Sequence, residues 1–337
     1  MGELRKDPIL GRWVIVKTEK SLMPEDYEQE TRVFHQQVTC PFCPERENRT
    51  PPEIEAIRDG GGANSSNWRV RVVPNKFPAL DISGEINRRG IGVFDMSNGI
   101  GAHEVIVETR DHSKDIPDLT DQEVFDVISK YCSRSIDLAK DPRFKYVLIF
   151  KNYGVQAGAS LEHAHSQVMA LPMVPKYVLE ALEGSDQYYR FHGRCIYCDI
   201  IQQEIKDKDR IIAENEDFIC FAPYASRFSF ESWIMPKKHQ AQFCEMNDAQ
   251  KYSLGKILKE MLMRNKACLF DPSYNFFIHT APGKYHYPEG YHWHIELIPK
   301  LTNMAGFEWG TGFYVVQTDP LIAAKFLREA KIGQSTS

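Results

Sequence analysis

The residues whose types and spacing could do chemistry are Ser160-Leu161-Glu162-His163-Ala164-His165-Ser166-Gln167, followed by the apolar Val168-Met169-Ala170-Leu171. The two histidines lie two apart on an extended segment and are expected to face different sides, one toward a structural site and one toward a substrate. A neutral imidazole can attack the α-phosphorus of a nucleotide and hold the nucleotidyl group as a phosphoramidate, splitting one displacement into two in-line steps. His165 is the candidate nucleophile. Gln167, two residues on, shares its strand face. Gln167 and Ser160 could donate hydrogen bonds to phosphate oxygens as negative charge shifts. The preceding loop, Asn152-Tyr153-Gly154-Val155-Gln156-Ala157-Gly158-Ala159-Ser160, is rich in glycine and small residues. Its backbone amides could approach a phosphate, which makes Asn152, Gly154 and Gly158 candidates for phosphate or ribose contact.

A second chemistry is metal binding. Cys40 and Cys43 with His112 and His163 form a closed tetrahedral set of two thiolates and two imidazoles, the usual structural zinc environment. Thiolates also select against the hard, oxygen-loving cations. The pattern recurs as Cys195, Cys198, His239 and His292, with His286 and His294 competing with His292 for the fourth position. A redox dithiol is the competing reading of each pair. It requires a helix directly after the first cysteine within a thioredoxin-like unit, and Pro44 after the first pair does not suit it.

These residues need elements to hold them, and the chain supplies the same order twice. Trp13–Val16 reads as a strand, 18–38 as an irregular arm, and Cys40–Pro44 as a tight knuckle. Strands are expected at Arg69–Val73, Gly92–Asp95, Glu104–Glu108, Tyr146–Phe150 and Gln167–Leu171. A helix opens at Thr120 and runs to about Lys140. In the second half Phe218–Pro223 matches Val70–Pro74, and Glu231–His239 matches Glu104–His112. A helix near Asn247–Arg264 matches the first, Tyr274–His279 matches Tyr146–Lys151, and Tyr291–Pro299 matches Glu162–Pro172. The interval from His112 to His163 nearly equals that from His239 to His292. The expectation is an α+β fold with a duplicated domain, each copy an antiparallel sheet with flanking helices, over residues 1–180 and 181–337. The join falls near 180–194, after the helix-like Tyr177–Leu182, and a last helix spans about Leu321–Ala330. Glu296 stands where the first copy has Gln167. A carboxylate there would repel a phosphate, so the second copy is expected to be catalytically silent.

Composition narrows the partners. The net charge is about -5 and no basic run occurs, which argues against nucleic acid but not against small phosphorylated substrates. No apolar run approaches the roughly 20 residues of a membrane span, and the first residues lack a secretory signal. Four of the eight cysteines are scattered among apolar neighbours, which suits a reducing compartment. The cytoplasm is expected, and an organelle is compatible.

The segment from Asn152 through Gln167 resembles the active-site signature of the galactose-1-phosphate uridylyltransferase family, in the histidine-triad superfamily. Pro74-Asn75-Lys76-Phe77-Pro78-Ala79-Leu80 resembles that family's nucleotide-side segment, and Gly306-Phe307-Glu308 its hexose-side segment. The resemblance covers nearly the whole chain. It implies a duplicated histidine-triad fold, a homodimer, zinc, and ping-pong nucleotidyl transfer through His165. It further implies that Asn75, Lys76, Phe77, Asn152, Gly158, Ser160 and Gln167 hold the nucleotide. Phe307, Glu308 and Gln317 would lie toward the hexose, possibly that of a partner subunit. Three departures stand out: Ala164 replaces the usual proline between the histidines, no arginine pair occurs around Lys17–Met23, and the second metal set contains a Cys-x-x-Cys pair. With these the pattern is more similar to the plant ADP-glucose phosphorylase branch, which implies adenylyl transfer from ADP-glucose to phosphate. Uridylyl transfer to galactose 1-phosphate is the alternative. A zinc-stabilised nucleotide-binding module without transfer activity is the reading from a different class.

Overall fold

The computed structural model describes residues 2–29, 39–283 and 289–333. Ten strands form one sheet. In chain order they are β1 (Glu55–Arg58), β2 (Trp68–Pro74), β3 (Ala102–Val107), β4 (Tyr146–Tyr153), β5 (His165–Leu171), β6 (Ile211–Glu214), β7 (Phe218–Phe221), β8 (Ser232–Pro236), β9 (Tyr274–His279) and β10 (His294–Pro299). The spatial order is β6-β7-β8-β10-β9-β4-β5-β3-β2-β1, antiparallel throughout. Each half therefore has the same five-strand topology, as the repeat implies. The halves do not keep separate sheets, however. β4 pairs with β9, Tyr153 opposite Tyr274 and Ile149 opposite Ile278. Joining the two last-paired strands removes two exposed edges and places both copies on one continuous surface.

Two long helices arise from matching start signals. α1 (Asp121–Ala139) begins at Thr120, whose side chain accepts from the Glu123 amide while the Glu123 carboxylate accepts from the Thr120 amide. α4 (Asp248–Cys268) begins at Asn247 with the reciprocal pair to Gln250. Both are capping boxes. Val124, Val127, Ile128 and Tyr131 of α1 and Leu254, Ile257, Leu258 and Met261 of α4 pack with α6 (Pro320–Glu329) on one sheet face. They meet Val70, Val72, Ile106, Val168, Ile234, Phe276 and Ile295 there.

On the opposite face helices cover one half only, while over the first half Cys40 and Phe42 of the knuckle pack on Val73, Val105 and Val107. α2 (Lys176–His192) and α3 (Ile196–Asp207) lay Val178, Leu182, Tyr197 and Ile201 against Ile219, Phe221, Trp233 and Met235, with Ile9 of the N-terminal segment wedged among them. The expected join at 180–194 is thus mostly helix. Gly184 marks no break: a Cβ there would meet the Ile9 carbonyl oxygen at 1.9 Å, so glycine allows the close approach of the segment that covers the second copy. Over the first half, the corresponding face carries His165 and Gln167.

Smaller differences from the sequence reading are local. Gly92–Asp95 is not one strand: Gly92, at φ +61°, and Val93 turn a hairpin between Arg89–Ile91 and Phe94–Met96, so only Phe94 and Asp95 of that stretch are extended. The arm at 18–38 contains a single turn at Pro24–Asp26, and 30–38 lie outside the described residues. Trp13–Lys17 joins Gly2–Lys6 and Tyr314–Val316 in a separate three-stranded sheet. The short α5 (Gly306–Thr311) is exposed along most of its length.

Candidate active site and metal centres

The first Cys/His set is assembled as expected. Cys40 Sγ lies 3.6 Å from His163 Nδ1, and Cys43 Sγ lies 3.5 Å from His112 Nδ1 and 3.7 Å from His163 Nδ1. A tetrahedron with metal–sulfur bonds of ~2.3 Å and metal–nitrogen bonds of ~2.1 Å has sulfur–nitrogen edges of roughly 3.6 Å, so the four donors fit one zinc-sized ion. His163 Nε2 donates to the Thr109 carbonyl at 2.7 Å, which leaves Nδ1 as the bare donor atom. Burial holds the His163 imidazolium down to about 4, so the ring is neutral, as a ligand must be. Burial, with the Cys40 sulfur beside it, pushes the Cys43 thiol up to about 11. Two thiolates here need a cation to coexist.

The second set, Cys195, Cys198, His239 and His292, repeats the geometry, with Cys198 Sγ 3.4 Å from His239 Nδ1 and 3.7 Å from His292 Nδ1. His292 Nε2 donates to the Pro236 carbonyl at 2.9 Å. This knuckle differs in one respect from the first: Cys195 caps α3, so a helix does follow its first cysteine. Two histidines close the set nonetheless, and they are what a dithiol redox site lacks. Of the two competitors for this position, His294 points elsewhere and His286 lies outside the described residues.

His165 opens β5, whereas His163 precedes it. Residues two apart within a strand share a face, so strand alternation does not separate the rings, contrary to the expectation from spacing. The separation comes from ending the strand between them. His165 Nδ1 donates to the His163 carbonyl at 2.7 Å, so its Nε2 carries the lone pair. Phe42, between the two knuckle cysteines, packs edge-on against His163 and His165 at 6.1 and 5.3 Å. Burial pushes the His165 imidazolium down to about 4. The ring is therefore neutral, oriented and nucleophilic at Nε2.

A buried charge network lies behind this strand. Lys151 Nζ donates to Glu108 at 2.5 Å and reaches Asp115 at 2.8 Å. Glu108 also accepts from Ser166 and from the Tyr131 hydroxyl, the latter at 2.9 Å. Tyr274 donates to Asp115 at 2.8 Å. The network ties β3, β4, β5, β9 and α1 together directly beneath His165.

The loop before His163 is built differently from the sequence reading. Gly154 has φ +82°, and a Cβ there would strike Ser273, so its glycine serves packing. Gly158, at φ +85°, closes the turn. The amides of Ala157 and Ala159 donate to the Gly154 carbonyl and that of Gly158 to the Val155 carbonyl. Those three amides are spent within the loop and do not face a phosphate. Asn152 Oδ1 accepts from Asn275 at 2.8 Å. Ser160 is exposed at the loop's end.

The nucleotide-side segment lies beside β5 through a residue that the sequence reading missed. His103 Nε2 is 2.7 Å from Gln167 Oε1 and 3.1 Å from Asn75 Nδ2. Asn75 Oδ1 accepts from the Phe77 amide at 2.9 Å, and Lys76 and Phe77 are exposed. In sequence, His103 was one isolated histidine with no spacing relation to another ligand. Its alternation with Val105 and Val107 on β3 was the available signal.

The hexose-side candidates are not brought to His165 within one chain. Glu308 caps its own helix through the Ala305 amide, and the Gln317 carbonyl accepts from Leu22. Among the described residues no hydrogen bond, ion pair or ring contact joins Gly306, Phe307, Glu308 or Gln317 to His165, Gln167 or Ser160.

In the second half the equivalent site is filled. His294 stacks on Trp233 at 4.8 Å and meets His279 and Tyr197. Glu296 pairs with the buried Arg227 and lies 3.5 and 3.6 Å from His279 and His294. Arg227 in turn sits over the Tyr177 ring of α2. The carboxylate is neutralised and roofed rather than turned to solvent.

Residues 2–175 match the family model for the N-terminal domain of galactose-1-phosphate uridyl transferase, and residues 181–308 match that for its C-terminal domain. ADP-glucose phosphorylase of Arabidopsis thaliana is 35% identical over 98% of this chain and 93% of its own length. A crystal structure of an Arabidopsis ADP-glucose phosphorylase with bound ADP-glucose superposes with a TM-score of 0.83 at 34% identity, covering 99% of this chain and all of that one. Galactose-1-phosphate uridylyltransferase of Thermotoga maritima is 27% identical over 98% of this chain and 99% of its own length.

Proposed function

Because the chain belongs to the galactose-1-phosphate uridyl transferase family, we propose that it is a nucleotidyltransferase acting on nucleoside-diphosphate hexoses through a covalent nucleotidyl-His165, with ADP-glucose as donor and phosphate as acceptor. The observation that carries the chemistry is the His165 imidazole, neutral, with Nδ1 committed to a carbonyl and Nε2 without a partner among the described residues. The higher identity to ADP-glucose phosphorylase than to the uridylyltransferases supports adenine over uracil.

Nε2 attacks the α-phosphorus in line, the bond to the bridging oxygen breaks, and glucose 1-phosphate leaves with the electron pair. Phosphate then attacks the same phosphorus, ADP departs and His165 is regenerated. The protein contributes position and charge stabilisation. Gln167 and Ser160 donate to the nonbridging oxygens. Asn75, Lys76, Phe77 and Asn152 bound the nucleotide. Gly154 and Gly158 shape the loop, and the Gly158 amide is spent on the Val155 carbonyl.

Zinc would be held at both Cys/His sets, where it would fix the knuckles and brace His163 and His292. Residues 1–180 and 181–337 are the two copies, the second a scaffold. The hairpin at Arg89–Met96, where Ile91, Val93 and Phe94 are 63%, 90% and 70% exposed, supports a homodimer. It would also let α5 and Gln317 of one chain reach the hexose in the other. Among the described residues no helix is long and apolar enough to cross a membrane. The free thiols and the two thiolate sets suit a reducing compartment such as the cytoplasm.

The test is donor choice. ADP-glucose should label the protein and phosphate should discharge the label as ADP. Labelling by UDP-glucose alone, with discharge by galactose 1-phosphate, would establish the uridylyl reading instead.

A further inference from the structure

His103 joins the two nucleotide-side segments, and the protons in that junction can be assigned. The backbone N–H of Ala79 donates to His103 Nδ1 at 3.2 Å. A backbone amide can only donate, so Nδ1 bears the lone pair and the neutral ring carries its proton on Nε2. That N–H is 2.7 Å from Gln167, which must therefore present its carbonyl oxygen. The single Nε2 proton goes to Gln167 at the shorter distance, and Asn75 Nδ2, 3.1 Å from the same nitrogen, then faces it donor to donor and makes no bond. With Oε1 so engaged, the Gln167 NH2 group has no protein partner among the described residues and lies on the strand face of His165.

We infer that His103 is a positioning residue that sets the Gln167 amide so that its N–H, and not its carbonyl, faces the phosphoryl group on His165, while its other nitrogen anchors the loop at 75–79. The inference rests on the nucleotidyl-transfer reading. A reversed amide would set a carbonyl lone pair against a phosphate oxygen and turn a stabilising contact into a repulsive one. Because the two ring nitrogens serve different segments, their roles separate. Nδ1 governs the loop that holds the donor nucleotide, and Nε2 governs the group that stabilises the transferred phosphoryl.

The experiment uses the full-length protein and single-turnover transfer from ADP-glucose to His165. His103→Gln keeps an N–H near the Nε2 position and should hold the transfer rate within about threefold while raising KM roughly tenfold. His103→Asn keeps an acceptor near the Nδ1 position and should hold KM while slowing transfer by about 10²-fold. Equal losses in both variants, no loss in either, or the reverse order would overturn the assignment. A nitrogen-15 spectrum of the wild type, independent of any variant's folding, should show His103 as the Nε2-protonated tautomer; the Nδ1-protonated form would also overturn it. Wild type that forms no nucleotidyl-His165 would overturn the transfer reading and this inference together. Labelled wild type with no Asn/Gln split would overturn this inference alone.

Discussion

His165 Nδ1 donates to the carbonyl oxygen of His163 at 2.7 Å, so the candidate nucleophile and the candidate metal ligand are coupled through one backbone carbonyl. An ion bound by His163 would hold that carbonyl in place, the carbonyl holds the His165 proton on Nδ1, and Nε2 keeps its lone pair.

This coupling sets the pH dependence. The neutral ring is the nucleophile, and burial lowers its pKa to about 4, against roughly 6.5 for a free histidine. A cation on His163 pushes the same way. Nucleotidylation of His165 should stay level from pH 8 to about 5 and fall by half near pH 4. A depressed imidazole also links to stability: the unfolded chain takes up the proton first, so this group's contribution declines below pH ~6.5 and is gone by pH 4. Rates of the first half-reaction across pH provide the check, and a midpoint near 6.5 would contradict the buried, oriented ring.

Metal content should be two zinc ions per chain. Cys43→Ser should lower it to one, because Cys43 meets both His112 and His163. Structural zinc sites hold on the order of 10 kcal/mol of binding free energy, so this variant should also melt well below the wild type and lose His165 labelling. Elemental analysis with calorimetry would show it. A Cys43→Ser protein that keeps two ions would count against the first site.

Lys151 is buried between Glu108 and Asp115. Lys151→Met leaves two buried carboxylates facing each other and should cost about 3–5 kcal/mol, the range for removing one partner of a buried pair. Adding Glu108→Gln should recover part of that loss. Urea unfolding at pH 7 measures both. A cost below about 1 kcal/mol for the single variant would mean that the lysine does not neutralise the network.

The second copy should be silent. Glu296→Gln removes the main partner of Arg227 and should lower the melting temperature, yet label should still appear once per chain and only on His165. His165→Asn should abolish label while leaving melting nearly unchanged, since Asn can donate to the His163 carbonyl in its place. Label on the peptide containing His294 would refute the reading of that copy as a scaffold.

Much of this was legible in the chain because the signals were local or repeated. Thr120 with Glu123 and Asn247 with Gln250 announce both long helices at their first turn, and the Cys/His set recurs with nearly equal spacing between its two histidines. What escaped depends on packing between distant segments. The join expected near 180–194 is mostly helix, and within it the missing side chain of Gly184 makes room for Ile9. Gly154 reads as part of a phosphate loop, but it makes room for Ser273. The pairing of β4 with β9 and the covering of one half by α2 and α3 involve surfaces that the repeat leaves identical in pattern. His103 acquires meaning only once Ala79 and Gln167 are folded beside it.

The most direct test of the account is the mass of the His165 peptide after the protein meets ADP-glucose with no acceptor present. One adenylyl group on His165, discharged as ADP when phosphate is added, is the predicted result. An unmodified His165, or release of AMP at a steady rate with no acceptor and no labelled intermediate, would contradict it.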